Sequence, residues 1–185
     1  NKIYDEMTDF AKYAFNKSHA AAYAVVSYQT AWLKYYYPVE YMAALMTSVI
    51  DNPGKVAEYI YSCRQMGIKI LPPDINHGYS SFSVDNGSIR YGLAAIKSIG
   101  RPVIKEIVAE RKANGEFKNL KDFIERMSGK DINKRTIENF IKSGAFDELG
   151  GTRKQFMVIY VQILDQVNRE KKNSMTGQMS LFDIV

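Results

Sequence analysis

The chain has 185 residues, 46% of them hydrophobic and 12% aromatic, which is enough apolar material for one large core or two small ones and excludes a disordered tail. Its one cysteine, Cys63, excludes an intramolecular disulfide and a zinc site built on several cysteines. The net charge of +5 lies wholly in residues 97–142, which carry twelve Lys and Arg against seven Asp and Glu. This local excess predicts a surface for a polyanion, although a solvated helix face would have the same composition.

The first 67 residues have a helical pattern. Four helices are predicted, at residues 2–14, 19–36, 39–50 and 54–66, separated by prolines and glycines. Several are apolar on more than one face, which indicates packing inside a helical cluster. The chain begins without Met, inside an amphipathic pattern, and we expect a piece of a longer polypeptide. It has no apolar run of membrane-spanning length and no signal peptide, so we also expect a cytoplasmic protein.

A candidate anion site stands at the start of the second predicted helix, in the run Phe15-Asn16-Lys17-Ser18-His19. A Ser or Asn ahead of a helix caps backbone N–H groups, whereas uncapped N–H groups and the helix dipole attract phosphate or carboxylate. The candidate ligands are Asn16, Lys17, Ser18 and His19. The alternative is an ordinary cap beside a solvated lysine.

An extended connector is predicted over residues 68–91. Pro72 and Pro73 keep the chain extended. Alternating residues on either side of Asn86-Gly87 indicate a β-hairpin with strands at 82–84 and 89–91. We therefore expect a small β insertion that joins two helical parts.

A tight turn is predicted at Ser98-Ile99-Gly100-Arg101, between a helical pattern that begins near Leu93 and a helix restarted by Pro102. The turn resembles a helix-hairpin-helix motif, whose N–H groups and following helix N-terminus hold a nucleic-acid phosphate without reading bases. The residues that this resemblance assigns to DNA are Lys97, Ser98, Ile99, Gly100, Arg101 and Lys105. Ser98 stands where the motif usually has glycine. The alternative is an ordinary turn with basic neighbours.

A second turn of the same kind follows near Gly144, and residues 92–150 are assigned to a tandem helix-hairpin-helix domain. Asn133 is predicted to cap its helix, and Gly144 to end it in the left-handed conformation. Lys134 and Arg135 are expected to face solvent or phosphate. Whether this turn contacts DNA or only packs against the first is left open by the sequence.

A long helix is predicted at residues 151–173, because Thr152 to Gln155 has capping-box spacing, and a flexible tail follows at 174–185. Within the tail, Gln178-Met179-Ser180-Leu181-Phe182 resembles the peptide by which bacterial polymerases and repair proteins attach to the sliding clamp. Adjacent Leu and Phe would enter an apolar pocket while an amide fixes the register. The alternative is a tail that folds back on its own domain.

A broader resemblance covers the whole chain. The runs Phe15 to Ala24, Ser27 to Lys34 and Ile141 to Asp147 closely resemble the C family of bacterial replicative DNA polymerases, which is the family of the DNA polymerase III alpha subunits. It implies a mainly α fold with the C-terminal part of the fingers at residues 1–67, the connector at 68–91, the helix-hairpin-helix domain, the long helix and the clamp-binding tail. It also implies that Asn16 to His19 lie near the phosphates of the incoming nucleotide.

No catalytic or metal-binding residue is assigned. Nucleotidyl transfer needs carboxylates that hold two metal ions. In this family they belong to the palm, which nothing in the chain resembles, so magnesium is expected there and the fragment alone should be inactive. The expected partners are primer-template duplex DNA, the beta sliding clamp and other replicase subunits. No interaction with a membrane is expected. The rival hypothesis is a non-catalytic helix-hairpin-helix adaptor that recruits repair factors to clamp-loaded DNA; it leaves Phe15 to Lys34 unexplained.

Overall fold

The computed structural model describes residues 2–13 and 17–175, and within them the fold is mainly α, as predicted. Helices α1 to α8 span, in order, Lys2–Tyr13, Lys17–Tyr36, Pro38–Ser48, Pro53–Gln65, Arg101–Asn114, Leu120–Arg126, Lys134–Ser143 and Arg153–Met175. Strands β1, β2 and β3 span Ile70–Leu71, Ser83–Asp85 and Ser88–Arg90, and a 3₁₀ turn spans Leu93–Ala95. In the described residues the buried apolar side chains form two clusters, called here the first and second cores.

The first core forms where α3 and α4 pack on the strands. Both helices begin at a proline, and the Asn52 side chain caps α4 by accepting a hydrogen bond from the N–H of Lys55 (3.1 Å). The buried side chains of this core include Met42, Met46, Val56, Cys63, Phe82 and Ile89. The methionines and the single cysteine are therefore packing residues, as the sequence indicated.

Helix α2 lies outside this core. Of its described side chains none is buried, and large ones such as Tyr28, Trp32 and Tyr35 are exposed. The prediction that several of the four helices pack in a cluster is therefore confirmed for α3 and α4. The apolar side chains of α2 are distributed around its circumference, so their burial would need neighbouring elements on several sides of the helix. Helix α3 contacts α2 on one side.

The sheet is the predicted hairpin with one further strand. β2 and β3 pair antiparallel with Val84 opposite Ile89, and Asn86 and Gly87 turn between them with φ of 48° and 75°. Two successive left-handed residues are what a two-residue hairpin turn requires, so the hairpin is confirmed. β1 pairs parallel to β3, which gives the order β1-β3-β2. The sequence predicted only an extended segment at β1, because two residues are too few to show an alternating pattern.

The second core joins α5 to α8 around a cluster of phenylalanines. Phe123 lies fully buried at its centre, with ring centroids 5.0 Å from Phe117, 4.9 Å from Phe146 and 6.2 Å from Phe140. Helix α8 covers the cluster with Phe156, whose centroid is 6.5 Å from that of Phe146. All four of these pairs meet edge to face, an arrangement that aromatic rings favour. Burial of Phe140 and Phe146 agrees with the packing role that the sequence indicated.

Part of the connector is bonded to the second core. The Asn76 Nδ2 donates to the carbonyl of Phe117 (3.0 Å), and the Asn76 Oδ1 accepts from the N–H of the same residue (2.8 Å). The N–H of Ile75 donates to the carbonyl of Ala145 (2.9 Å). The buried carboxylate of Asp74 accepts from the N–H of Asn76 (2.8 Å). These bonds fix residues 74–76 and with them the chain that enters β2.

A polar network joins α5 to α6. The carboxylate of Glu110 accepts hydrogen bonds from Lys130 Nζ, from Asn114 Nδ2 (2.7 Å) and from Arg126 Nε (3.2 Å). These bonds, of which the one from Lys130 has the largest effect, lower the pKa of Glu110 to about 2. Burial alone would raise this pKa. Arg126 also donates to the carbonyl of Gly115 (2.8 Å), so it holds the end of α5 against α6.

Glu110→Gln is expected to lower the free energy of unfolding by about 2 kcal/mol at neutral pH. The folded-state pKa lies below the ordinary value of 4.5, so this stabilisation is fully present above that value and is lost as the pH falls towards 2. Urea denaturation at several pH values should show the two proteins converging in acid. Glu148→Gln, at an exposed position, is the control and is expected to change the free energy by less than about 0.5 kcal/mol. A difference for Glu110→Gln that stayed constant with pH would contradict the assignment.

Candidate nucleic-acid interface

The turn at residues 98–100 exposes the N-terminus of α5. Gly100 precedes the helix, and in the described part of the chain no side chain caps it and no acidic residue lies in its first turn. The N–H groups at this end and the helix dipole are therefore available to an anion such as phosphate. Ile99 is 8% exposed and packs into the second core, so it anchors the turn from inside.

Ser98 has the backbone conformation that glycine favours, with φ of +64°. The left-handed region costs a residue with a side chain about 1 kcal/mol. The helix-hairpin-helix motif usually has glycine at this position, and here the serine takes the left-handed conformation.

The element before the turn differs from the prediction. It is the 3₁₀ turn Leu93–Ala95 rather than an α-helix. Gly92 packs so closely on the loop before β2 that a Cβ there would lie 2.8 Å from the carbonyl carbon of Ser81, which fixes where the element begins. Ile96, the residue after the turn, has extended backbone angles (φ −75°, ψ 125°), so the turn ends there. The few residues between Gly92 and Ser98 are too short a run for a stable helix.

Ser98→Gly is expected to raise the free energy of unfolding by about 0.5 kcal/mol, because relief of left-handed strain exceeds the extra chain entropy that glycine gives the unfolded state. Urea denaturation followed by circular dichroism measures the change. Ser98→Ala is the matched control, since alanine removes the hydroxyl and keeps the strain. If alanine stabilised the fold as much as glycine, the hydroxyl and not the backbone angle would be responsible.

Three exposed cations stand at this turn in the sequence. Lys97 precedes it, Arg101 is the first residue of α5, and Lys105 follows one helical turn later. The Arg101 Nη2 donates to the Oδ2 of Asp51 (3.0 Å), and both side chains are more than half exposed. Such an exposed pair contributes less than about 1 kcal/mol. Arg101 can therefore exchange this carboxylate for a phosphate at low cost.

Helix α7 contacts the residue before the first turn. The Asn139 Nδ2 of α7 donates to the carbonyl of Lys97 (2.9 Å). Asn133 caps α7, its Oδ1 accepting from the N–H of Thr136 (3.0 Å), and Gly144 ends the helix with φ of +86°, both as predicted. Helix α7, which leads to the second turn, is therefore bonded to the segment that enters the first.

The start of α7 is less open to an anion than the start of α5. Lys134 and Arg135 are exposed there, but the Lys134 Nζ pairs with Asp165 of α8 (3.1 Å). The Asn133 side chain occupies an N–H group that a phosphate would need. The start of α5 is therefore the more open of the two helix starts.

Helix α2 begins at Lys17, two residues before the predicted start. Lys17, Ser18 and His19 therefore form its first turn, and all three are exposed. No proline or glycine interrupts this run, and Lys and Ser tolerate a helix. The imidazole of His19 lies against Tyr23, with 4.4 Å between ring centroids. Asn16 lies outside the described residues.

Helix α8 confirms the predicted long helix. Thr152 and Gln155 form the expected capping box: the N–H of Thr152 donates to Gln155 Oε1 (2.9 Å), and the N–H of Gln155 donates to Thr152 Oγ1 (3.2 Å). The candidate clamp peptide lies outside the described residues; its members are Gln178, Met179, Ser180, Leu181 and Phe182.

Within residues 2–13 and 17–175, no group of three or more His, Cys, Asp or Glu side chains is placed to hold a metal ion. Across the same ranges, no helix combines the length and apolarity needed to cross a bilayer. The candidate interface consists of backbone N–H groups and cations.

Sequence reasoning missed a groove beside these cations. The loop Tyr79–Ser81 faces α5, and Lys112 lines the groove together with Lys105. The spacing of Arg101, Lys105 and Lys112 could have indicated it, because at 100° per residue the three lie within about 40° of each other on one face of α5. Nothing in the sequence brought Tyr79 to that face.

Residues 67–156 match the family described as helix-hairpin-helix motif. The chain is 45% identical to DNA polymerase III subunit alpha of Vibrio cholerae and 46% identical to that of Escherichia coli, over 185 residues that cover 100% of the chain and 16% of each relative. It is 43% identical to that of Mycobacterium tuberculosis over 180 residues, 97% of the chain and 15% of the relative. The chain thus spans about one sixth of the length of these relatives.

Proposed function

Because this chain is the counterpart of one segment of DNA polymerase III subunit alpha, we propose that it is part of a bacterial replicative DNA polymerase that acts in the cytoplasm. Within that enzyme the segment supplies part of the nucleotide-binding fingers, a sequence-independent grip on duplex DNA and the attachment to the sliding clamp. The observation that carries the proposal is identity of 43% to 46% along essentially the whole chain.

The grip on duplex DNA uses the N-terminus of α5. Its N–H groups donate to a phosphate oxygen, and Lys97, Arg101 and Lys105 add attraction that weakens with salt. Contacts of this kind reach phosphates and carry no base information, so the grip accepts any sequence. The helix-hairpin-helix match over residues 67–156 supports this role.

A second phosphate contact is assigned to Lys134 and Arg135 at the start of α7. The hydrogen bond from Asn139 to the Lys97 carbonyl (2.9 Å) couples α7 to the first turn. Two phosphates held at a fixed separation would favour the regular backbone of a duplex over a flexible strand. Specificity for duplex geometry then comes from the spacing of the two sites.

The nucleotide site in the fingers uses the start of α2. Lys17 supplies a cation, Ser18 a hydroxyl and His19 an imidazole beside the positive end of a 20-residue helix whose described first turn holds no acidic residue. Asn16 stands next to them in the sequence. These groups bind and orient the triphosphate of the incoming nucleotide, and the rest of the enzyme completes the site.

The chemical step belongs to the rest of the enzyme. Magnesium ions held by carboxylates of the palm would activate the primer hydroxyl and neutralise the leaving pyrophosphate. We assign no residue of this chain to that metal site, so the segment on its own is inactive. Its partners in the whole enzyme are primer-template DNA, the sliding clamp and other replicase subunits.

Clamp attachment is tested by titrating purified sliding clamp with the chain and with Leu181→Ala/Phe182→Ala. We expect at least about tenfold weaker binding by the variant, because a buried apolar anchor contributes on the order of 2 kcal/mol to such a contact. The matched control is Val158→Ala/Ile159→Ala, which removes two adjacent exposed apolar side chains from α8. If Leu181→Ala/Phe182→Ala bound as tightly as this control, the tail would have no part in clamp attachment.

The encoding reading frame separates the polymerase from the adaptor. We expect it to continue far upstream of Asn1 and to encode a palm with two neighbouring aspartates. A start codon immediately before Asn1 would instead favour the non-catalytic adaptor, whose DNA and clamp contacts would be the same.

A further inference from the structure

A groove runs along α5, between that helix and the loop Tyr79–Ser81, with a volume of about 440 Å³. Its floor is apolar, formed by Ile104, Val108 and Ala109, and Lys105 and Lys112 stand beside the floor. None of the described residues that line the groove is acidic. An apolar floor beside cations suits a ligand that is both planar and anionic.

The wall opposite α5 is fixed by backbone bonds. The carbonyls of Tyr79 and Ser80 accept hydrogen bonds from the N–H groups of Leu93 (2.8 Å) and Ala94 (3.1 Å). Close backbone packing at Gly92 holds the same loop. The groove is therefore preformed, and binding would not need to order the loop first.

The ring of Tyr79 is supported from within the protein and remains accessible. Its side chain is 43% exposed. The guanidinium of Arg111 lies 4.9 Å from the ring centroid, and the Nζ of Lys112 lies 6.0 Å from it. Arg111 is itself 8% exposed and donates to the carbonyl of Ile75 (2.8 Å). A ring held by a buried cation while still accessible is a platform on which another planar group can stack.

The groove is continuous with the proposed grip on duplex DNA. A neighbouring cavity is lined by Arg101, Thr47 and the same Ser80 and Ser81. Arg101, Lys105 and Lys112 therefore form a row of cations along one face of α5, roughly 16 Å from end to end at 1.5 Å per residue. A strand held at Arg101 would meet this row as it left the turn.

We propose that the groove binds single-stranded DNA, with one base stacked on Tyr79 and neighbouring phosphates paired with Lys105 and Lys112. The apolar floor receives the face of a base, and the hydroxyls of Ser80 and Ser81 offer hydrogen bonds to the backbone. Because every base has a face that can stack, this site has little base preference. The inference depends on the proposed duplex grip in one respect only, which is the direction from which the DNA strand enters the groove.

The test measures anisotropy of a labelled oligothymidylate of about twelve nucleotides with the full chain. Tyr79→Ala is expected to weaken binding about tenfold, whereas Tyr79→Phe keeps the ring and should stay within about twofold of the parent protein. Lys112→Gln is expected to reduce the slope of the logarithm of affinity against the logarithm of salt by about 0.7, the value for one phosphate contact on a single strand.

Two further variants separate stacking from folding. Tyr79→Leu keeps an apolar side chain under Arg111 and removes the aromatic ring, so we expect weaker oligothymidylate binding by a protein whose circular dichroism spectrum shows that it is still folded. Tyr61→Ala removes a tyrosine of α4 that is 64% exposed and should not alter binding. If Tyr79→Ala and Tyr61→Ala both bound oligothymidylate as tightly as the parent protein, the inference would be overturned and a peptide would become the better occupant.

A duplex of the same length distinguishes this inference from the proposed function. Tyr79→Ala is expected to leave duplex affinity unchanged. A chain that binds oligothymidylate through Tyr79 and fails to bind duplex would support the groove and refute the duplex grip. A chain that binds duplex while its oligothymidylate affinity is unaffected by Tyr79→Ala would support the duplex grip and refute the groove.

Discussion

Replacing Phe123 with alanine is expected to lower the free energy of unfolding by about 4 kcal/mol. Phe123 is fully buried in α6, and the centroids of three other phenylalanine rings lie within 6.2 Å of its own. Those rings come from α7 and from the segments that flank α6 and α7, so the cavity left behind has walls on separate elements that cannot close together. Urea denaturation should show a lower midpoint with an unchanged slope.

The positions of other aromatic residues determine how this experiment is read. The single tryptophan, Trp32, lies on α2, outside the second core, so helical circular dichroism is the appropriate probe. Phe10→Ala makes the same substitution at a residue of α1 that is 74% exposed, and we expect it to change the free energy by less than about 0.5 kcal/mol. Equal midpoints for the two variants would mean that the phenylalanine cluster does not hold the second core together.

Features that depend on local hydrogen bonds could be predicted from the sequence. The Asn86-Gly87 turn, the Asn133 cap and the left-handed Gly144 each follow from what one or two residues can do to the adjacent backbone. The capping box at Thr152 belongs to the same group. Their geometry needs no knowledge of distant parts of the chain.

Features that depend on distant contacts could not be predicted. Strand β1 exists because Ile70 and Leu71 pair with β3, and nothing in two residues indicates a partner. The exposure of α2 also depends on which elements contact it. Likewise, the 3₁₀ turn begins after Gly92 because Gly92 meets the backbone of Ser80 to Phe82, ten to twelve residues earlier.

The residues of the candidate site also fall into a group that could be predicted from the sequence and a group that could not. The turn at Ser98 to Gly100 and the cations around it were recognisable because they are contiguous in the sequence. Tyr79 joins them only because its loop is bonded to the 3₁₀ turn and lies across α5. A groove formed by two such segments has no signature in either one alone, although the row of cations on α5 pointed to its position.

Charge reversal at Arg101 and Lys105 is expected to weaken duplex DNA binding about 100-fold near 0.1 M salt. The loss of two phosphate contacts should also reduce the slope of the logarithm of affinity against the logarithm of salt by about 2. Both cations are exposed at the start of α5, beside its uncapped N–H groups. Anisotropy with a short labelled duplex over a range of salt concentrations measures both quantities.

The control must change the net charge by the same amount elsewhere. Lys118→Glu/Lys121→Glu does so at exposed positions that follow the opposite end of α5. A helix of 14 residues is about 20 Å long, and the screening length near 0.1 M salt is about 10 Å. The distant pair should therefore have a small effect if the turn makes the contact, and an equal effect if only net charge attracts DNA.

Charge reversal could also weaken DNA binding through repulsion within the protein, because Arg101→Glu places a carboxylate beside Asp51. Arg101→Gln/Lys105→Gln avoids it, since an amide repels neither Asp51 nor a phosphate. Loss of two cationic contacts predicts the same reduction in slope for the glutamine and glutamate variants, with a smaller loss of affinity for glutamine. A glutamine variant with the slope of the parent protein would show that Arg101 and Lys105 do not contact phosphate.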